Sequence, residues 1–106
     1  MSNWRKTESI NIVKIERFVE EFELWDLRNI PHGKFKIKIY ESSDGKFTGR
    51  TNLMVIDKTG NYNAGVGYGE TTDDALNDTI RYFYSLIEES ENLTMGSFKY
   101  VDSMDF

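Results

Sequence analysis

The stretch from Gly65 to Leu76, with the sequence Gly-Val-Gly-Tyr-Gly-Glu-Thr-Thr-Asp-Asp-Ala-Leu, most constrains what this chain can fold into. Three alternating glycines end an apolar strand, and Thr71 is placed to cap an amphipathic helix, with Asp74 three residues later as in a capping box. A helix N-terminus carries partial positive charge and often binds anions. Here Glu70 and Asp73 join Asp74 in supplying that negative charge. The junction therefore predicts a strand-to-helix turn more than a phosphate loop.

Three strands are predicted before this helix. Lys34–Tyr40 alternates lysine with apolar residues, Phe47–Ile56 forms the second strand, and Tyr62–Tyr68 the third. The intervening segments, Ser42–Gly45 and Asp57–Gly60, carry aspartate and glycine in the positions that tight turns favour. Short turns between successive strands predict a three-stranded antiparallel meander.

Two helices are predicted to cover one face of this meander. The first runs from about Asn11 to Trp25, because its apolar residues recur at spacings of three and four. They are Ile12, Ile15, Phe18, Val19, Phe22 and Trp25. Ser9–Ile15 is left open as an alternative strand, since Ile10 and Ile12 also alternate.

The second helix presents an apolar stripe that we expect to pack on the first strand. The stripe comprises Leu76, Ile80, Phe83 and Ile87, and the facing strand residues are Phe35, Ile37 and Ile39. A helix and a strand that each expose one apolar face must cover each other to form a core. The predicted fold class is therefore α+β, in the order α-β-β-β-α.

The length of 106 residues predicts a single α+β domain spanning residues 1–106. Residues 1–10 are polar and aperiodic, which predicts a flexible arm. The tail, residues 93–106, is apolar enough to dock on the sheet, remain partly ordered or add an edge strand. The chain has no cysteine and one histidine, which excludes disulfides, thiolate metal sites and paired-histidine chemistry.

The order of elements resembles the double-stranded-RNA-binding domain, whose third strand and second helix carry the pattern Gly-x-Gly-x-Ser-Lys-Lys-x-Ala-Lys. Four positions of this chain match the glycines, the hydroxyl and the alanine of that pattern: Gly67, Gly69, Thr71 and Ala75. The lysine positions are occupied by Thr72, Asp73 and Leu76. The resemblance implies the fold, but the loss of the phosphate-binding lysines removes the main source of affinity for RNA.

The segment Gly69–Asn77 also resembles the junction Gly-acidic-Thr-x-acidic-acidic-Ala-Leu of the HicB-type antitoxins. Those proteins neutralise a partner toxin through protein contacts, so the resemblance implies a protein-binding role. This chain departs from the family in placing residues 1–33 before the corresponding first strand. It also lacks an obvious DNA-binding unit after the helix.

Charge is distributed unevenly along the chain, whose net charge is −5. Residues 31–60 contain six basic and three acidic side chains, whereas residues 61–106 contain two basic and nine acidic ones. Such asymmetry favours partners of complementary charge. The candidate protein-binding residues are Glu70, Asp73, Asp74, Asp78, Glu88 and Glu89.

A basic strand face provides the alternative site, at which single-stranded nucleic acid could bind weakly. Its candidate residues are Lys34, Lys36, Lys38, Lys46 and Arg50. Lysine along one sheet face is also typical of an ordinary solvated surface. No aromatic residue is interleaved with the lysines on their own face of the strand, although Tyr40 stands at its end.

The sequence therefore predicts a non-enzymatic binding protein with no cofactor and no metal, since neither a nucleophile–base pair nor a ligand cluster emerges. The expected partner is a protein with a basic surface, such as the nucleic-acid machinery that a phage or mobile-element regulator or inhibitor would target. Because the chain shows neither a signal peptide nor a membrane-spanning segment, we expect a soluble, cytoplasmic location. The oligomeric state stays open.

Overall fold

A computed structural model describes residues 3–90 and 93–106 of the protein. One antiparallel sheet, one long helix and three short 3-10 helices make up the regular structure of these residues. The elements are β1 (Glu16–Trp25), β2 (Lys34–Ser42), β3 (Phe47–Ile56), β4 (Tyr62–Gly69), α1 (Thr72–Glu89) and β5 (Phe98–Tyr100). Strands β1 to β4 lie in sequence order across the sheet, and β5 pairs with β3. Strands β1 and β4 are therefore the two outer strands.

The predicted α-β-β-β-α arrangement is wrong, because the described residues contain one long helix and five antiparallel strands and are mostly β. The predicted first helix is instead β1, which pairs along its whole length with β2. A bulge at Val19 shifts the alternation by one residue, so Phe18 faces one side of the sheet and Phe22 the other. Phe18, Phe22 and Trp25 are spaced as on one face of a helix, but in β1 they are divided between the two faces of the sheet.

The alternative strand at Ser9–Ile15 is also wrong. These residues form a turn and irregular chain, in which Ser9 accepts a main-chain hydrogen bond from Ile12. Ile10 and Val13 are fully exposed there. The alternation of Ile10 and Ile12 therefore does not correspond to a buried sheet face.

The core lies between α1 and one face of the sheet, and the predicted packing of the helix stripe on β2 is present. Phe83 is completely buried and lies 5.0 Å from Phe35, measured between ring centroids. Ile37 and Ile39 are buried beside them, and Leu53 and Val55 of β3 extend the same layer. On the opposite face, which we call the open face, the sheet has no helix among the described residues.

Close seating of α1 depends on glycines in β4. A Cβ built on Gly67 would lie 2.6 Å from the Cα of Thr79, and one on Gly69 would lie 2.5 Å from the amide nitrogen of Ala75. Both distances are below ordinary van der Waals contact. The glycines that the sequence places before the helix therefore serve helix–strand packing.

The tail contacts the sheet at two places. Strand β5 pairs antiparallel with Leu53–Val55, and the Tyr100 hydroxyl hydrogen-bonds to the main-chain oxygens of Pro31 and Lys34. Farther along, the main-chain oxygen of Phe106 accepts a hydrogen bond from Lys38 at 3.1 Å. Residues 98–106 thus lie against both β3 and β2.

Candidate functional site

The acidic residues named from the sequence, which we call the acidic surface, lie along α1 and the turn before it. Glu70, Asp73 and Asp74 are exposed around the N-terminus of the helix, and Glu88 and Glu89 are exposed in its last turn. The helix rises about 1.5 Å per residue, so the two groups are about 20 Å apart. The structure thus arranges them as two patches at opposite ends of one helix.

Asp78 differs from the other members of the acidic surface because it is half-buried and already bonded. Its carboxylate accepts a hydrogen bond from the Tyr68 amide at 2.9 Å and another from Arg81 at 3.2 Å. These two donors lower the pKa of Asp78, the Tyr68 amide contributing most. Asp78 therefore covers one outward amide of the outer strand β4 and is less available to a partner.

Glu88 and Glu89 lie where a helix least favours negative charge. The C-terminal end of a helix carries partial negative charge, which favours lysine or arginine there. The last turn of α1 has no basic residue, and neither glutamate forms an ion pair with another described residue. These two carboxylates thus oppose local helix stability and remain available to solvent.

The lysines of the basic strand face do lie together on the open face. Lys34, Lys36 and Lys38 follow one side of β2, and Arg50 of β3 is the cross-strand neighbour of Lys38. Lys46 lies apart, in the turn before β3. The structure therefore joins four of these five candidate residues into one surface.

Strand β1 places glutamates directly beside these cations. Glu23 forms an ion pair with Lys34 at 2.8 Å, which lowers the pKa of Glu23. Glu16 forms an ion pair with Arg50 at 2.9 Å, and Glu21 lies opposite Lys38 in the strand pairing. The open face is consequently a mixed surface of opposite charges.

Aromatic side chains also stand among these cations, and one of them, Trp25, was missed from the sequence. The Lys34 ammonium lies 5.0 Å from the centroid of the Trp25 ring, and Trp25 is 66% exposed. Arg50 lies 5.1 Å from the Tyr40 ring in the same way. Trp25 was missed because it belongs to the segment predicted as a helix. The alternation of Phe22 and Leu24 with Glu21 and Glu23 was the signal for a strand.

Two further carboxylates tie loops to the body of the fold. Glu41 is buried and accepts hydrogen bonds from both Arg5 and Arg17, and the Arg5 contact contributes most to lowering the pKa of Glu41. Asp26 accepts a hydrogen bond from the Tyr84 hydroxyl at 2.6 Å, which does most to lower the pKa of Asp26 to about 2. These hydrogen bonds within the fold account for the lowered pKa values of both carboxylates.

The described residues give no sign of a metal centre, because no three of their histidines or carboxylates converge. His32 lies in a single turn of 3-10 helix and is the one non-glycine residue there with positive φ, at 61°.

Within residues 3–90 and 93–106, no helix combines the length and apolar composition needed to cross a bilayer.

No protein-family model, curated protein or solved structure matches the chain. The likeness to HicB-type antitoxins therefore rests on the motif at Gly69–Asn77 alone. The order of elements that the double-stranded-RNA-binding domain implied is overturned by the sheet itself.

Proposed function

We propose that this protein is a non-enzymatic binding domain that docks on a basic surface of another protein through its acidic surface. The observation that carries the proposal is the pair of exposed glutamates in the last turn of α1. A residue that opposes local stability without a structural compensation is often retained for function. Glu88 and Glu89 fit that description, since replacing either with a neutral residue would strengthen the helix.

The chemistry of the acidic surface indicates the kind of partner. Exposed carboxylates raise the rate of association with a cationic surface, and salt screens this effect over about 8–10 Å. Grooves that normally hold nucleic acid are lined by such cations. A regulator or inhibitor of nucleic-acid machinery, including one from a phage or mobile element, would use a surface of this kind.

The test compares two double variants that each remove two negative charges. Glu88→Gln with Glu89→Gln should raise thermal stability, because each carboxylate costs about 0.3–1 kcal/mol at the C-terminal end of a helix. The same variant should slow association with the partner several-fold at low salt. Glu8→Gln with Asp105→Asn removes equal charge from exposed positions outside the acidic surface and is the matched control.

Nuclease-treated lysate from the native host supplies candidate partners, which are then purified for surface plasmon resonance at several salt concentrations. A genuine partner is captured by the wild type and by the control variant, and its association rate falls for the α1 variant. If every captured protein associates equally fast with both double variants, the acidic surface is a solubilising feature and the proposal fails.

A second candidate function is weak binding of single-stranded nucleic acid on the open face. The specific observation in its favour is the placing of Trp25 and Tyr40 beside Lys34 and Arg50, because base stacking on aromatics combines with phosphate contacts in such sites. Fluorescence anisotropy with oligothymidine at low salt tests it. Binding by the wild type that is lost in the double variant Lys36→Glu with Lys38→Glu would support this function. An absence of binding by the wild type would exclude it.

A further inference from the structure

Strand β1 is a ten-residue outer strand with one edge open. Its only strand neighbour among the described residues is β2. An unpaired edge of this length presents a row of main-chain donors and acceptors that another extended chain can use.

The direction of the main-chain groups follows from the hydrogen bonds of β2. The Ser42 amide donates a hydrogen bond to the main-chain oxygen of Lys46, on the β3 side. The main-chain N–H and C=O groups of even-numbered residues in β2 therefore point toward β3, and those of odd-numbered residues point toward β1. At the other end, the Asp26 amide donates a hydrogen bond to the main-chain oxygen of Gly33, so the amide of Asp26 points inward. With the observed pairing, the inward residues of β1 include Phe22 and Leu24. The main-chain groups that point outward belong to Glu21, Glu23 and Trp25.

The side chains along β1 define what a new neighbour must carry. Glu20 and Glu21 are exposed and form no ion pair within the described part of the chain. They point to opposite faces of the sheet, because neighbouring residues in a strand alternate. A strand added to this edge would therefore meet a carboxylate on each of its two faces.

The fold already shows a sequence that β1 accepts on its inner edge. The paired segment of β2 reads Lys-Phe-Lys-Ile-Lys-Ile, with Lys36 opposite Glu23 and Lys38 opposite Glu21. On the other face, Ile37 lies opposite Phe22. The outer edge presents the same rows of side chains, so a strand of the same alternating chemistry fits it.

We propose that the open edge of β1 binds an extended segment of a partner protein in which lysine or arginine alternates with apolar residues, by addition of that segment as a sixth strand. This site lies on the sheet edge and is separate from the acidic surface on α1. Main-chain hydrogen bonds supply the attachment, and the glutamates select a basic sequence.

A second copy of this chain is a poor occupant for the same edge. Antiparallel pairing of β1 with β1 about its centre brings Glu21 or Glu23 opposite its own kind, and like charges in directly opposite positions are destabilising. The glutamates thus disfavour self-association while they favour a cationic strand. The edge is selective by charge.

The test uses a fluorescently labelled octapeptide in which lysine alternates with valine and isoleucine, with the full-length protein as receptor. Fluorescence anisotropy should show binding that weakens with salt and exceeds that of a scrambled peptide of equal composition. Glu21→Pro should weaken binding at least tenfold. The Glu21 amide points outward, so proline there removes no hydrogen bond to β2.

Two further measurements keep the test decisive if the proline variant folds poorly. A peptide N-methylated on alternate residues of its pairing edge should bind the wild type at least tenfold more weakly. Addition of the unmodified peptide should slow hydrogen exchange at the amides of Glu21, Glu23 and Trp25. The α1 variant Glu88→Gln with Glu89→Gln should bind the peptide as the wild type does, which separates this site from the proposed function.

Several results would overturn the proposal. One is equal binding of the ordered and scrambled peptides by the wild type. Another is unchanged affinity for the N-methylated peptide together with unchanged exchange at these three amides. A wild-type dimer that Glu21→Pro converts to a monomer would assign the edge to a second copy instead.

Discussion

Replacing Gly67 with alanine should destabilise the protein, because it forces α1 away from β4. The added Cβ would lie 2.6 Å from the Cα of Thr79, whereas carbon atoms pack at about 3.5–4.0 Å. The contact is with backbone, so no side-chain rotation relieves it. Overpacking costs about 1–3 kcal/mol, and reduced freedom of the unfolded chain returns about 0.4–1 kcal/mol. We expect a net loss of about 2 kcal/mol in the free energy of unfolding.

Urea unfolding followed by circular dichroism measures this loss, with Gly96→Ala as the matched control. The nearest atom to a Cβ at Gly96 is 3.7 Å away, so that substitution should change stability by less than about 0.5 kcal/mol. Gly49→Ala provides a second comparison, since its Cβ would overlap the Thr79 hydroxyl oxygen. Thr79→Ala should therefore partly rescue Gly49→Ala but not Gly67→Ala. A loss below about 0.5 kcal/mol for Gly67→Ala would refute the close seating of α1.

Two other substitutions test the packing and the loop contacts. Phe83→Ala should lower the free energy of unfolding by about 3–5 kcal/mol, since this fully buried ring packs on Phe35; a loss below about 1 kcal/mol would remove it from the core. Tyr84→Phe should cost about 1–2 kcal/mol at pH 7, because it removes a hydrogen bond to a carboxylate. The pKa of Asp26 is about 2 when folded against an ordinary 3.8, so its stabilisation is present above pH 4 and disappears as the pH falls toward 2. The difference between wild type and Tyr84→Phe in urea unfolding should narrow over that range, and a constant difference would contradict the assignment.

The parts of the fold that could be predicted have strong local patterns. Strands β2, β3 and β4 lie within two residues of the predicted ranges, because alternation and Asp-Gly or Thr-Gly turns act over a few residues. The cap at Thr71 is present, with its hydroxyl accepting the Asp74 amide hydrogen bond at 3.1 Å. The predicted contact of Phe83 with β2 follows from the same local patterns, since each element has one apolar face.

The sequence could not exclude the predicted first helix, because a bulge changes which faces of the sheet the apolar residues of β1 occupy. The spacing of Phe18, Phe22 and Trp25 fits one face of a helix. Because of the bulge at Val19, it also fits a strand in which Phe18 and Trp25 share one face and Phe22 lies on the other. Pairing of β1 with β2 is a long-range contact that leaves no local trace. In the sequence, the glutamates of β1 and the lysines of β2 are two separate patterns, and nothing shows that Glu23 lies opposite Lys36.

The same ten residues decide how the open face behaves toward nucleic acid. The cations of the open face include Lys34, Lys36, Lys38, Arg50 and also Lys99, which lies in β5 opposite Met54. Together they would make the logarithm of the binding constant fall with the logarithm of the salt concentration at a slope of about −3.5 on single strands, at about −0.7 for each phosphate neutralised. Glu16, Glu21 and Glu23 stand on the same face and leave about two cations uncompensated, which reduces the expected slope of the binding constant with salt to about −1.4. Such a small dependence on salt corresponds to weak binding of nucleic acid. Because β1 is a strand, the open face is largely neutralised, while the carboxylates in the last turn of α1 form no ion pair with another described residue. The distribution of unpaired charge therefore favours a cationic protein partner over a phosphate backbone.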